Sequence, residues 1–196
     1  MRSQIRPMIT LFGLLTFLTG VLYPLLMTAI AQAIFPHQAN GSPLYLDNNL
    51  AGSALIGQAF TSEQYFWGRP SSTSGSPYNA FDPEKLTGSA GSNLGPLSQT
   101  LYRSVEERAD HLRSTTPCCE GPIPVDLVTS SASGLDPDIS IESAFYQLTR
   151  VAQARGLEEM ELMKLIEMTI TPRQFGFLGE PRVNVMQLNL ALDGLQ

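Results

Sequence analysis

The chain has 196 residues, enough for one domain of ordinary size beside a targeting or membrane segment. Its apolar share of 43% is normal for a globular protein, and a formal charge of −6 argues against nucleic acid as a partner. Only 2 cysteines and 2 histidines are present, which leaves little for a metal centre built on those ligands.

No Lys, Arg, Asp or Glu occurs from Pro7 to Leu46, and the run from Met8 to Phe35 is almost unbroken apolar sequence. About 20 apolar residues span a bilayer core as a helix, and this run exceeds that length. A cleaved signal peptide, with "TAIAQA" as its cleavage region, is the competing reading. Its apolar stretch would be only about 7–15 residues, so a retained membrane anchor is the better fit. Pro24 removes one backbone donor and predicts a local kink near Tyr23–Pro24, where a neighbouring membrane helix helps satisfy the freed carbonyl. Gly13 and Gly20 lie two helical turns apart, placing small residues on one face for close helix approach.

Arg2 and Arg6 sit on the short N-terminal side, and the first charge beyond the run is Asp47. The positive-inside rule therefore puts residues 1–7 in the cytoplasm, a transmembrane helix at 8–35, a linker at 36–52 and an α+β domain at 53–196 outside. All 12 basic residues except Arg2 and Arg6 belong to the part beyond the anchor. With ten basic and all eighteen acidic residues, that part carries a net charge of −8.

Within the domain, "GSALIGQAF" and "QYFWGRPS" alternate in the manner of strands and end at Gly68 and Pro70. Residues 69–93 are rich in Ser, Gly and Pro without periodicity; a loop of that length is either functional or pinned to something else. A helix is predicted from "NLGPLSQTLYRSVEERADHLR", capped by Asn93 or Ser92, with Pro96 in its first turn. Leu97, Leu101, Val105 and Leu112 form its inward stripe, and Glu106, Glu107, Arg108 and Arg113 its solvated face. Cys118 and Cys119 are adjacent. Their Cα separation of about 3.8 Å is below the usual disulfide range, which leaves an incidental loop pair, a strained vicinal bridge or a link to another chain.

"DLVTSSASGLDPDIS", residues 126–140, is dense in hydroxyls and carboxylates. A nucleophile there needs a histidine base, but His37 sits at the membrane edge and His111 on a charged helix face. "GSAGSNLG" and "SSASG" lack the spacing of a phosphate loop. Asp136, Asp138, Ser140 and Glu142 alternate like calcium ligands, but Pro137 interrupts them. The simplest reading is a buried strand at "DLV", a turn at Gly134, and Asp138 or Ser140 capping a helix from Ile141. That helix carries Ile141, Phe145, Leu148 and Val151 inward and stops at Gly156. A second helix, "LEEMELMKLIEMTI", turns Met160, Met163 and Ile166 inward, its methionines serving as core filler. Asn184 then caps a last helix as part of a capping box with Gln187, with Val185, Leu188 and Leu192 facing the core. No residue is assigned a catalytic or metal-binding role.

Five phrases in order, "LIGQAF…YFWGRPS", "GSNLGP", "PVDLVTSSASGLDPDIS", "RVAQARG" and "GFLGEPRVNVMQLNLALD", resemble the C-subunit family of Kdp high-affinity potassium-transporting P-type ATPases. The resemblance covers the whole chain. It departs at "GSAGSNLGP", where two adjacent glycines are expected, and at "TTPCC". It implies one membrane helix and one extracytoplasmic domain in an inner-membrane complex. The implied partners are a channel-like potassium-binding subunit, a P-type ATPase subunit and a very small membrane peptide. ATP and potassium are used by the assembled complex, with no cofactor of this subunit's own. The implied role is assembly, with a suggested effect on the nucleotide affinity of the ATPase subunit. Partner-facing or fold-defining candidates are Gly13, Gly20, Pro24, Arg69, Asn93, Gly95, Asp126, Ser133, Gly134, Asp136 and Asn184. The competing reading is an independent anchored hydrolase or small-ligand binder using the 69–93 and 126–140 loops.

Overall fold

The computed structural model describes residues 2–46, 48–116 and 121–195. Cys118 and Cys119 lie outside the described residues. The chain divides into two compact units, 1–43 and 44–196.

The first unit is a long helix followed by a short one. Helix α1 covers Arg2–Phe17, a π-helical turn covers Leu18–Leu22, and α2 covers Tyr23–Ile34. The Tyr23 N–H reaches back to Leu18 O, five residues away. This wider turn falls immediately before Pro24, whose ring in a regular helix would press on the carbonyl four residues back. The stretch Gln4–Ile34 is long and apolar enough to cross a membrane, and none of it is buried in its own chain. Phe12 and Leu25 are 72% and 65% exposed, an arrangement stable only if lipid or another helix covers them. Helix α3, Pro36–Ala39, and the hydrogen bonds between Gln32 and Asn40 close the unit.

The second unit is α+β. Strands β1 (Pro43–Leu46) and β2 (Asn49–Ser53) pair within the stretch read as a linker, and β3 (Phe81–Asp82) and β4 (Thr87–Gly88) form a hairpin inside the 69–93 loop. Then come α4 (Gln99–Thr115), α5 (Val125–Val128), β5 (Asp138–Ile139), α6 (Ile141–Arg155), α7 (Glu159–Thr169), β6 (Ile170–Thr171), β7 (Arg182–Asn184) and α8 (Val185–Asp193). The main sheet is antiparallel with order β5-β7-β6, pairing Ile139 with Val183 and Val183 with Ile170.

The core lies where α6, α7 and α8 meet this sheet. Phe66, Val151, Leu162, Ile166, Val183, Leu188 and Leu192 are fully buried there. Ile141 and Phe145 pack against it, and Val185 is also enclosed, as the periodicity predicts. Ser140 caps α6 by accepting from the Ser143 N–H, and Gly156 ends it with φ 67°. Asn184 caps α8 by accepting from the Gln187 N–H at 3.0 Å, while the Gln187 side chain stands exposed. A second cluster joins Leu112 of α4 to Leu127, Val128 and Tyr146.

Several expectations are corrected. Helix α4 starts at Gln99, because Asn93 takes a left-handed conformation (φ 51°) and Ser98 N–H closes a turn onto Gly95 O. Leu97 therefore precedes the helix and is exposed, whereas Arg108 leaves the solvated face to donate to Val128 O at 2.9 Å. Burial, opposed by Glu107, holds the Arg108 guanidinium below its ordinary value. "DLV" is not a strand but part of the short helix α5, with Leu127 and Val128 buried as expected. On α7 the inward residues are Leu162 and Ile166; Met160 and Met168 are 61% and 82% exposed, so only Met163 acts as filler.

The two segments that read as strands, 52–60 and 64–71, form no ladder beyond Ser53. Along residues 63–67, side chains replace the neighbouring strand. The Asn189 amide accepts from Phe66 N–H (2.9 Å) and donates to Phe66 O (3.0 Å). The Gln147 amide does the same for Trp67, at 2.8 and 3.1 Å. Arg150 donates to Glu63 O and Tyr65 O, and its guanidinium lies 3.8 Å from the centre of the Trp67 ring. Burial lowers the Arg150 value to about 10, with Glu63 opposing, so the group is charged at neutral pH. An extended chain with buried backbone needs every N–H and C=O matched, and helix side chains do this here.

Candidate functional site

The hydroxyl-rich stretch is built around backbone needs. Thr129 Oγ1 donates to Val125 O at 2.7 Å, Ser131 Oγ accepts from Gly134 N–H at 2.9 Å, and Ser133 Oγ accepts from Leu135 N–H at 3.1 Å. The 69–93 loop is then stitched along it. Ala90 N–H and Ser89 Oγ donate to Ser133 O, both at 2.9 Å, and Ser71 Oγ donates to Gly134 O at 2.7 Å. That long loop is pinned to its own domain. A Cβ at Gly134 would stand 2.6 Å from Ala90 O, and its φ of +68° is left-handed, so both the turn and the stitching require glycine.

Asp126 works across sequence. From α5 its carboxylate accepts from the Ser140 N–H at 2.7 Å, the Ser140 hydroxyl at 3.1 Å and the Ser143 hydroxyl. An anion held at the start of α6 is favoured by the helix dipole and meets N-terminal donors that the helix itself leaves open.

Next to it a cleft of about 490 Å³ opens, lined by Arg69, Asp126, Asp136, Asp138, Glu180 and Arg182 among others. Asp136 takes an ion pair from Arg69 at 3.1 Å and accepts from Asp138 N–H at 3.1 Å. Asp138 pairs with Arg182 at 2.7 Å and accepts from the Asn184 amide at 3.2 Å; the same amide donates to Ala54 O at 2.9 Å. Tyr78 donates to Arg69 O at 2.6 Å, and burial, then Asp136, push its phenol up to about 12 against the pull of Arg69. The carboxylates that alternate at 136 and 138 thus face arginines. Among the described residues no group of three His, Cys, Asp or Glu side chains is arranged to hold a metal ion.

Burial also raises the Asp138 carboxyl above its ordinary value, outweighing Arg182 and Asn184, with Asp136 adding to the rise. A carboxyl raised on folding contributes stability that is full below the ordinary carboxylate range and is lost as pH climbs through the raised value. The Asp138→Asn variant lacks that loss. Its thermal midpoint should gain on the wild type as pH rises from the ordinary aspartate value, about 3.9, through the raised one. A midpoint difference that moves the other way would contradict the assignment.

The sequence profile of the K+-transporting ATPase c chain family, KdpC, matches residues 5–194. The chain belongs to this family. It is 53% identical over 196 residues to the Potassium-transporting ATPase KdpC subunit of Burkholderia vietnamiensis, covering 100% of this chain and 98% of that protein. The protein of the same name from Paraburkholderia phytofirmans is 52% identical over 196 residues, covering 100% of this chain and 99% of its own length. That from Methylibium petroleiphilum is 54% identical over 194 residues, covering 99% and 98%.

The KdpC phrases distant in sequence converge on the cleft. "YFWGRPS" brings Arg69, "PVDLVTSSASGLDPDIS" brings Asp126 and Asp136, and "GFLGEPRVNV" brings Glu180 and Arg182. Asn184 stands behind Asp138, and Ser133 and Gly134 belong to the stitched seam. The other candidates lie elsewhere. Asn93 and Gly95 are exposed in the loop before α4; Gly13, Gly20 and Pro24 are in the first unit, with open space around both glycines. Residue types alone did not signal Gln147, Arg150 and Asn189, because polar positions on amphipathic helices ordinarily face water.

Proposed function

We propose that this chain is an accessory, non-catalytic subunit of an ATP-driven potassium uptake pump, needed for assembly and stability of the complex. The match to the KdpC family over residues 5–194 carries this reading. Its relatives bear the name Potassium-transporting ATPase KdpC subunit. The apolar helix Gln4–Ile34, uncovered by its own chain, supplies the physical support: it needs lipid and neighbouring helices as its environment. In this reading residues 1–7 are cytoplasmic, the helix spans the inner membrane and the second unit lies outside. The partners are the channel-like potassium-binding subunit, the P-type ATPase subunit and the small membrane peptide. ATP and potassium are handled by those partners, and any effect on nucleotide affinity reaches the ATPase subunit indirectly, through the anchor. Affinity purification of the tagged chain from mild-detergent membranes of potassium-starved cells should recover the ATPase subunit with it. Recovery of the chain alone would overturn the proposal.

A further inference from the structure

One surface feature serves neither core. The segment Gln174–Leu178 is a tight turn in which Gln174 and Leu178 exchange both backbone hydrogen bonds at 2.9 Å. Gly176 N–H donates to Arg173 O and Phe177 N–H to Gln174 O, and an Arg173–Glu180 ion pair closes the base. At the tip, Phe175 and Phe177 are 87% and 70% exposed, and Leu178 is 46% exposed. Phe175 holds a left-handed backbone, φ 53°, which a residue with a Cβ adopts only when its surroundings impose it. Two aromatic side chains are therefore displayed to solvent on a turn whose backbone is already ordered.

We propose that this turn is a protein-docking anchor: Phe175 and Phe177 enter an apolar pocket of a membrane-complex partner, and the adjoining cleft receives a basic side chain from the pocket's rim. The inference rests on the accessory-subunit reading above. Exposed aromatics on a preordered loop are the residue type and geometry of binding hot spots, since little conformational freedom remains to be lost on contact. The cleft is continuous with the turn: Glu180, bonded to Arg173 at the turn's base, is also a cleft wall together with Pro181 and Arg182. Arg69 pairs with Asp136, Arg182 with Asp138 and Arg173 with Glu180, while Asp126 meets no arginine among the described residues, so the cleft keeps an excess of one carboxylate and favours a cation. The same charge selects the occupant. With a net charge of −8 beyond the anchor, this part of the chain is repelled by an anionic bilayer surface. A second copy would set one acidic cleft against another.

The test uses the full tagged chain in mild-detergent membranes. Phe175→Ser with Phe177→Ser should lower partner recovery at least tenfold while leaving the thermal midpoint unchanged, because neither ring is part of a core cluster. Phe175→Trp should retain the partner and shift its emission to the blue only in the complex. Raising salt to about 0.5 M should weaken wild-type recovery, since screening acts on the charged rim. Undiminished recovery of the double-serine variant overturns the anchor while the accessory reading stands. A wild-type chain recovered without partner overturns both. A blue shift of the tryptophan variant in partner-free nanodiscs would assign the turn to lipid, and loss of only a chain-to-chain dimer would assign it to a second copy; either overturns the proposal. If the double variant melts early, the tryptophan emission decides alone. Salt-insensitive recovery overturns the cationic rim.

Discussion

Asn189→Leu is expected to destabilise the second unit by about 3–5 kcal/mol, although leucine keeps the same branching and number of side-chain heavy atoms. Asn189 is 1% exposed and Phe66 fully buried, and the two exchange a pair of hydrogen bonds. The leucine strands a buried N–H and a buried C=O at once, each worth roughly 1–3 kcal/mol when left unmade. The added apolar contact offsets only part of this. Asn189→Asp makes a sharper control. It keeps an acceptor for the Phe66 N–H but turns a carboxylate oxygen toward the Phe66 carbonyl, so it should destabilise as well. Denaturant unfolding followed by far-UV circular dichroism measures both. A loss under about 1 kcal/mol for the leucine variant would mean that segment 62–67 finds other partners, and the side-chain ladder would lose its assigned role.

Gly134→Ala should cost about 2–4 kcal/mol, more than a single methyl ordinarily does. Two terms add. A Cβ in the left-handed region costs roughly 1 kcal/mol. The new atom would also stand 2.6 Å from Ala90 O and 2.8 Å from Thr73 Cγ2, so the 69–93 loop must move off the seam. Gly156→Ala separates these terms, because its φ is +67° yet nothing lies within 4 Å of the added carbon. It should show the backbone penalty alone. Equal losses at the two positions would remove the steric contribution. Limited proteolysis gives a second reading: in Gly134→Ala the loop 69–93 should be cut faster, while in Gly156→Ala it should not.

The pattern of what was legible follows from the range of each interaction. Ser140, Gly156 and Asn184 were identifiable as caps because capping joins residues three or four apart, with donors any helix end must expose. The inward faces of α6 and α8 follow from helical periodicity in the same local way. Met160 on α7 is exposed against the sequence pattern because the apolar stripe is wider than the buried face, and methionine tolerates either side. "DLV" by itself reads as a strand, since three residues carry no period by which to tell a buried helix turn from a buried strand. The extended segments after Ser53 do resemble strands locally. The hydrogen-bond partners of residues 63–67, however, are Gln147, Arg150 and Asn189, and no local pattern announces a side chain that substitutes for a strand.

Of the candidate residues, Arg69, Asp126 and Asp136 meet in one cleft, with Asn184 behind it, although sequence offered them only as parts of separate phrases. Arg69 and Asp136 are 67 residues apart, and Asp126 reaches Ser143 across 17. Alone, the sequence determined the long apolar helix, the α+β class, the caps of α6 and α8 and the family, since composition, short-range periodicity and whole-chain similarity carry those. Only the tertiary structure decided that the Ser-rich loop is stitched to the 126–140 turn and that the charged phrases form one cleft. It also decided that Phe175 and Phe177 remain outside both cores. Those are long-range contacts, and each depends on how chain segments tens of residues apart share a finite set of buried donors, acceptors and apolar surface.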